Sequence, residues 1–414
     1  MTPPRVYLRT FGCRANQYDS EAVRAMIEAA GGEIVATPEL ADSAVFNSCA
    51  VTASAEADLR QSVRGAARRA PALRTVVMGC AAARDDGRIA ALPTVGRVVA
   101  GGNVGDVAEA LGLPFSGVPP NVQTGTRALL RIQDGCDEHC TFCATTLARG
   151  AARSRSADAI VAEAGALAER HPEIVLTGIH IGHYGVDRDD SLSALVERLV
   201  RAVPHARFRL SSLEATEVDD RLAELLAHPE HVAPHLHAPL QSGSDPVLKR
   251  MGRHWYTATS YAAAVERIAM RVGTFALGAD VIAGFPGETD ADHRATVAFV
   301  ESLPFTYLHV FPFSLRPGTA AERLGSHVPS AIAERRASEL RAIGERFAAA
   351  HREARSGTEC DLVVIGDGAR REGLTEDYLT VAVDTSVPRG TRCRARLERD
   401  GARLLAVPLE AIIR

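Results

Sequence analysis

From residue 5 to about 113, short aliphatic and β-branched runs alternate with longer alanine-rich stretches of helical period. The order is VYLRTFG, a helix near 19–30, EIVA, SAVFNSC, a helix near 54–70, TVVMGC, a helix near 84–91, RVVAGG and a helix near 104–111. Strands separated in this way by helices predict an α/β domain over 1–113 built on a mostly parallel sheet. At 114–126, PFSGVPPNVQTGT breaks the rhythm with proline, glycine and threonine and reads as a linker. A second series follows: RALLRIQDG, EIVLTG, ARFRLSS, HLHAPLQS, ALGADVIAGFP and YLHVFPFS, with helical stretches between them and a long helix near 328–353. Six strand-then-helix units predict a partial or full β/α barrel over 127–354, its site at the carboxyl ends of the strands. From 355 to 414 the helices stop. CDLVVIG, YLTVAVD, TRCRARLE and RLLAVPLE read there as short strands of a small β-barrel.

With 414 residues the chain exceeds what one core organises, which agrees with two or three domains. The net charge of −4 excludes a molecule coated in positive potential but leaves room for local arginine patches, Lys249 being the only lysine. No charged-then-apolar leader and no unbroken bilayer-length apolar run is present, so the expectation is a cytoplasmic protein without membrane association. In that reducing setting the eight cysteines are expected to bind metal or do chemistry rather than form disulfides.

Three of them crowd into DGCDEHCTFCATTLARG: Cys136, Cys140 and Cys143. Zinc is one reading of the Cys140/Cys143 pair, but it wants a fourth ligand, which only His139 offers, and with awkward geometry. Three thiolates on one short loop suit a cubane iron–sulfur cluster with one iron left open to a cofactor. Unrelated buried thiols are the remaining reading. The loop also follows the first strand of the expected barrel, on the face where barrel sites form. Cys13, Cys49 and Cys80 are each, taken singly, ordinary apolar filler. All three, however, end expected strands (RTFGC, VFNSC, VVMGC), and strand ends of an open parallel sheet converge on one crevice. A second three-cysteine cluster site follows.

The C-x3-C-x2-C spacing, with aromatic Phe142 before the last cysteine, resembles the radical S-adenosylmethionine enzymes. Together with TFGCRANQYDSE, FNSCAVTASAEADLRQ, LARGAARSR, PLQSGSDPVLKRMGR, DVIAGFPGET, HVFPFSLRPGTAA and EGLTEDYLTVAV, the two cysteine sets resemble the methylthiotransferases of that superfamily over essentially the whole chain. The resemblance implies an N-terminal domain whose Cys13, Cys49 and Cys80 hold an auxiliary 4Fe-4S cluster. It implies a radical core whose Cys136, Cys140 and Cys143 hold a second 4Fe-4S cluster that cleaves S-adenosylmethionine, and an RNA-binding, OB-like TRAM barrel at the end. Further cofactor contacts it implies are Phe142, Thr177, Gly178, Glu214, Gln241 and Asp280. Each polar one of these is equally readable as a loop tie. A low-potential electron donor such as flavodoxin or ferredoxin and a sulfur donor are implied as partners.

LTGIHIGHYG and NQYDSE resemble the subgroup acting on N6-threonylcarbamoyladenosine beside the tRNA anticodon, so that tRNA is the expected substrate. Isopentenyladenosine tRNA and a ribosomal-protein aspartate are the family's other substrates, and a non-catalytic RNA-binding scaffold is the reading of another class. Arg149, Arg153 and Arg155 follow the cluster loop and are expected to steer phosphate or carboxylate groups. Arg392 and Arg394, with Arg389, Arg396 and Arg399, crowd the tail as candidate RNA contacts, and Arg60, Arg64 and Arg68 form a helical stripe that reads equally as a solvated face. His180 and His183 read as structural or substrate-facing, because no further ligand is spaced to join them. Tyr378, the one aromatic of the tail, reads as core, and Cys360 and Cys393 read as filler. Thr146 stands where the family usually has proline, which puts the rigidity of the loop in question.

Overall fold

The computed structural model describes residues 3–50, 53–115, 117, 121–366, 371–401 and 403–409. The N-terminal unit runs β1 (Arg5–Thr10), α1 (Arg14–Ala29), β2 (Glu33–Val35), β3 (Ser43–Ser48), α2 (Ala53–Arg69), β4 (Arg74–Gly79), β5 (Val95–Ala100) and α3 (Val104–Leu111). Its strands form one parallel sheet in the order β2-β1-β3-β4-β5. Alternate residues of β3 and β4 serve opposite faces: Phe46 and Val77 pack with Leu59 and Val63 of α2, whereas Val45 and Met78 pack with Val23 and Ile27 of α1. The helix expected near 84–91 is not formed. A single 3-10 turn at Ala82–Arg84 gives way to a loop in which the Asp85 carboxylate accepts from the Ile89 and Ala90 amides at 2.8 and 3.1 Å. Gly87, at φ +95°, turns the chain out of helical register.

The central unit comprises β6 (Ala128–Arg131), β7 (Gln133–Asp134), α4 (Thr145–Arg149), β8 (Arg153–Ser154), α5 (Ala157–Ala168), β9 (Glu173–Thr177), α6 (Leu192–Ala202), β10 (Arg207–Leu210), α7 (Asp220–Leu226), β11 (His235–His237), α8 (Asp245–Arg250), α9 (Ala258–Ala269), β12 (Ala276–Ala283), α10 (Asp290–Ser302), β13 (Tyr307–Pro312) and α11 (Ser330–Arg355). Two parallel three-stranded sheets, β6-β9-β10 and β11-β12-β13, are joined by parallel bridges between Phe208 and Val232 and between Ser212 and His237. The result is an open six-stranded partial barrel. Its outward residues, such as Leu130, Ile174, Leu176, Phe208 and Leu210, share one large core with α5, α6 and α9.

The tail is a closed barrel of β14 (Glu359–Val364), β15 (Arg371–Thr375), β16 (Thr380–Val383), β17 (Arg392–Asp400) and β18 (Arg403–Pro408), in the order β14-β15-β16-β18-β17. Cys360 and Cys393 lie in its apolar core. Strand β15 has no counterpart among the four runs read from sequence, because REGLT carries one isolated apolar residue. Buried charge docks this barrel on the central one. Arg207 donates to the Asp361 carbonyl at 2.7 Å, Arg209 to the carbonyls of Thr375 and Glu376 at 3.0 Å, and Arg355 to the Glu376 carboxylate at 2.7 Å. No helix among the described residues is long and apolar enough to cross a membrane.

Candidate active site

The three-cysteine loop leaves β7 through Gly135, whose φ of +76° and contact with the Ala151 carbonyl leave no room for a Cβ. The Cys136 amide donates to the Gly150 carbonyl and the Cys143 amide to the Cys140 carbonyl, both at 3.0 Å, closing the loop on itself. Thr146, in the short helix α4, turns its hydroxyl back to the Cys143 carbonyl at 3.3 Å, a tie that proline lacks. All three thiols are half-buried. Arg253 donates to Cys140 Sγ at 3.4 Å, and the His180 Nδ1 atom lies 3.5 Å from Cys136 Sγ. Burial pushes the Cys140 thiol up to about 12 despite the Arg253 charge. Burial would lower His180, but its hydrogen bonds with Cys136 and Glu217 push it up to about 10.

Cys13 caps α1, Cys49 follows β3 and Cys80 follows β4, so the three parallel strand ends present them side by side. At Gly12, φ +100°, a Cβ would stand 2.6 Å from the Cys49 Cβ and 2.7 Å from its Sγ. Cys80 is 3% exposed, receives Arg149 Nε at 3.3 Å, and is pushed by burial up to about 11 against the pull of that guanidinium. Buried thiols of this kind bind as thiolates only when a metal takes their protons' place. His139, the one fourth donor the loop offers, is exposed and does not line the site, which disfavours zinc; three thiolates beside a guanidinium fit an anionic iron–sulfur cluster.

One cavity of about 750 Å³ is lined by Cys13, Cys49, Cys136, Cys140 and Cys143 together. Phe142, Thr177, Gly178, Glu214, Gln241 and Asp280 all face it. Glu214 is held by Arg253 and by Trp255 Nε1, and burial raises its carboxyl even against the Arg253 charge. Gln241, at φ +64°, stitches its amide and carbonyl to Asp280 and Ile282 of β12 at 2.8 and 2.9 Å. Asp280 accepts from His237 at 3.0 Å and lies 3.4 Å from His309. Burial opposes its ionisation, but these hydrogen bonds keep its carboxyl below the usual range. Sequence reading missed Arg253, Trp255, His235, His237, Tyr307 and His309, although HLHAPL put His235 and His237, and YLHV put Tyr307 and His309, at alternate positions of two expected strands, the one signal that pointed to those four. Tyr378 is not core. Its ring reaches the cavity from the tail barrel, stacks on His235 at 4.2 Å between centroids and receives Arg14 on its hydroxyl at 3.0 Å.

Residues 5–101 match the family described as Uncharacterized protein family UPF0004, and residues 130–300 match the Radical SAM superfamily. The chain is 35% identical over 410 residues to threonylcarbamoyladenosine tRNA methylthiotransferase MtaB of Bacillus subtilis, with 91% of this chain and 89% of that protein covered. This chain belongs to the radical S-adenosylmethionine methylthiotransferase family. Another methylthiotransferase relative, the tRNA-2-methylthio-N(6)-dimethylallyladenosine synthase of Mycolicibacterium gilvum, is 32% identical, covering 90% of this chain and 78% of that protein. Among solved structures, the radical S-adenosylmethionine methyltransferase TsrM of Kitasatospora setae shares the fold, with a TM-score of 0.58 at 15% identity over 77% of this chain and 74% of that one.

Several arginines expected to face RNA in this methylthiotransferase lie elsewhere. Arg149 is 5% exposed and is consumed by Asn16, Asp19, Asp134 and Cys80. Arg155 is half-buried against Tyr18, Glu163 and the Arg131 carbonyl, and Arg392 joins Asp361 to the Glu230 carbonyl across the tail interface. Arg149 is claimed by the buried Asp19 carboxylate of the N-terminal unit, whereas Arg155 pairs with Glu163 and Arg392 with Asp361 inside their own units, and spacing along the chain reveals none of these partners. Arg153 and Arg394 are exposed, the latter paired with Glu359. Arg64 and Arg68 are exposed on α2, and Arg60 lies 3.8 Å from Glu56. His180 and His183 do have a third potential donor: Glu217, from the loop after β10, brings one carboxylate oxygen within 4.8 Å of both ring nitrogens.

Proposed function

We propose that this methylthiotransferase places a methylthio group on C2 of N6-threonylcarbamoyladenosine next to the tRNA anticodon. The observation that carries the reading is the single cavity walled by Cys13 and Cys49, by the Cys136–Cys143 loop, by the barrel strand ends and by Tyr378. Arg14, His235, His237 and His309 in its wall offer polar partners for a substrate side chain bearing hydroxyl and carboxylate. When bound, two 4Fe-4S clusters on the two trios and S-adenosylmethionine supply a radical that opens an unactivated C–H bond, and the methylthio group that replaces it. Glu214, fixed by Arg253 and Trp255, and Asp280, kept ionised by its histidines, are proposed to orient S-adenosylmethionine. Tyr378 and His235 offer a stacked ring surface on which a base is held. Exposed Arg153 and Arg394 remain proposed phosphate contacts, with a flavodoxin- or ferredoxin-like electron donor and a sulfur donor as partners in the cytoplasm.

The test is anaerobic reconstitution with iron and sulfide, followed by mass spectrometry of nucleosides from threonylcarbamoylated tRNA after adding S-adenosylmethionine and reductant. A gain of one methylthio group that Cys49→Ala abolishes is the expected result. Cleavage of S-adenosylmethionine without that gain, but with one on isopentenyladenosine tRNA, overturns the substrate and keeps the chemistry.

A further inference from the structure

We infer that Arg149 is a positioning residue for the N-terminal cysteine trio, reaching from the radical-cluster segment to hold Cys80 and to set how readily that cluster takes an electron. The inference rests on the reading of Cys13, Cys49 and Cys80 as cluster ligands.

Arg149 ends α4, six residues after Cys143, yet its side chain crosses into the other domain. Its Nε donates to Cys80 Sγ at 3.3 Å, and its Nη2 donates to Asn16 Oδ1 at 2.7 Å and Asp19 Oδ2 at 2.8 Å. Its Nη1 approaches Asp134 at 3.4 Å, two residues before Cys136. Asn16 and Asp19 belong to α1, the helix that Cys13 caps. One planar guanidinium thus spans the segment flanking the second trio and two of the three elements carrying the first, a geometry that the rigid fork of arginine provides and lysine does not.

An interdomain ion pair alone does not require the bond to sulfur. Arg131 already pairs with Asp19 and lies 3.6 Å from Asp134, so two arginines and two carboxylates balance without Cys80. The Nε–H is the edge left over, and it points at the thiol. The Arg149 side chain is 1% exposed, so its charge acts on the sulfur with little screening by water. Hydrogen bonds to cluster sulfurs and local charge are among the main determinants of an iron–sulfur potential.

The experiment compares Arg149→Gln and Arg149→Lys with the unaltered enzyme, both clusters loaded, by iron content and by redox titration followed with electron paramagnetic resonance. Expected for Arg149→Gln is a more negative midpoint for the N-terminal cluster, or loss of that cluster alone, with the radical cluster's midpoint unmoved. Arg149→Lys, which keeps the charge but not the fork, is expected to show a smaller shift and carries the test if the glutamine variant fails to fold. Full iron content with an unshifted N-terminal midpoint in the lysine and glutamine variants overturns the proposal, as does an equal shift of both clusters. Cys49→Ala is the separate control: if it loses no iron, the cluster assignment fails rather than the role of Arg149.

Discussion

Glu173→Gln removes the negative charge between Arg207 and Arg209 while keeping the shape of the side chain. All three side chains are fully buried. The carboxylate takes Arg207 Nε at 2.7 Å and Arg209 Nε and Nη2 at 2.8 and 3.0 Å. Burial alone would raise its pKa, but Arg209 and Arg207 hold it well below the usual range. After the substitution Arg207 keeps Asp361 at 3.2 Å, whereas Arg209 has no carboxylate partner left, only neutral acceptors such as the carbonyls of Thr375 and Glu376 and the face of the Tyr378 ring. A buried charge stripped of its partner costs about 3–5 kcal/mol. The loss falls on tail docking, since the groups these arginines hold belong to β14, β15 and the turn before Tyr378. A chain of three domains has no single unfolding free energy, so the readout is hydrogen exchange at the amides of β14 and β15. Those amides are expected to exchange roughly 10²- to 4 × 10³-fold faster, at a tenfold change for each ~1.4 kcal/mol. Acceleration below about tenfold, the range of an exposed pair, would refute the reasoning. Because the carboxyl is depressed in the fold, the unaltered protein keeps this contribution at neutral pH and loses it only as pH falls below about 4.5 toward the folded value.

Other outcomes follow from the same geometry. Gly12→Ala drives a Cβ into Cys49 at a left-handed φ, so the iron proposed for the N-terminal trio is expected to be lost while that proposed for the Cys136–Cys143 loop remains, read by iron per chain. Tyr378→Phe removes the hydroxyl that receives Arg14 and is expected to raise KM for tRNA by up to ~10-fold with kcat little changed; Tyr378→Ala removes the stack as well and costs more. Thr146→Pro sits in the first turn of α4, where proline is tolerated, and is expected to keep both clusters and shift stability by no more than ~1 kcal/mol, read by thermal inactivation.

The strands of the parallel sheets were legible because each is a short apolar run whose two faces are covered, and the strand-end positions of Cys13, Cys49 and Cys80 because they follow directly from those runs. What was hidden depends on partners far away in sequence. Arg149 resembles a phosphate contact until Asn16 and Asp19, more than a hundred residues earlier, claim its guanidinium. The third donor beside His180 and His183 is invisible for the same reason, since Glu217 arrives from the next barrel strand. Tyr378 looks like core in an alternating strand pattern, but it sits in a turn at φ +69°, which aims its ring out of the tail barrel. The helix expected at 84–91 failed on a local competitor, the Asp85 carboxylate, which alanine content does not register.

The N-terminal sheet and the two central sheets turn their carboxyl ends toward the same space, so Cys13 and Cys49 share one cavity with Cys136, Cys140 and Cys143. The tail closes that space from a third side, and its contribution is tied back to the first: Arg14, the residue after Cys13, holds the hydroxyl of Tyr378. The same Tyr378 stacks on His235, which reaches Tyr307 at 2.8 Å, which in turn lies 3.0 Å from His237, the partner of Asp280. A displacement of the tail therefore changes the wall beside the N-terminal trio and the support of Asp280 together. Loss of docking should thus be felt in both cofactor placement and substrate binding, whereas a tail that served only as an RNA handle would alter the second alone.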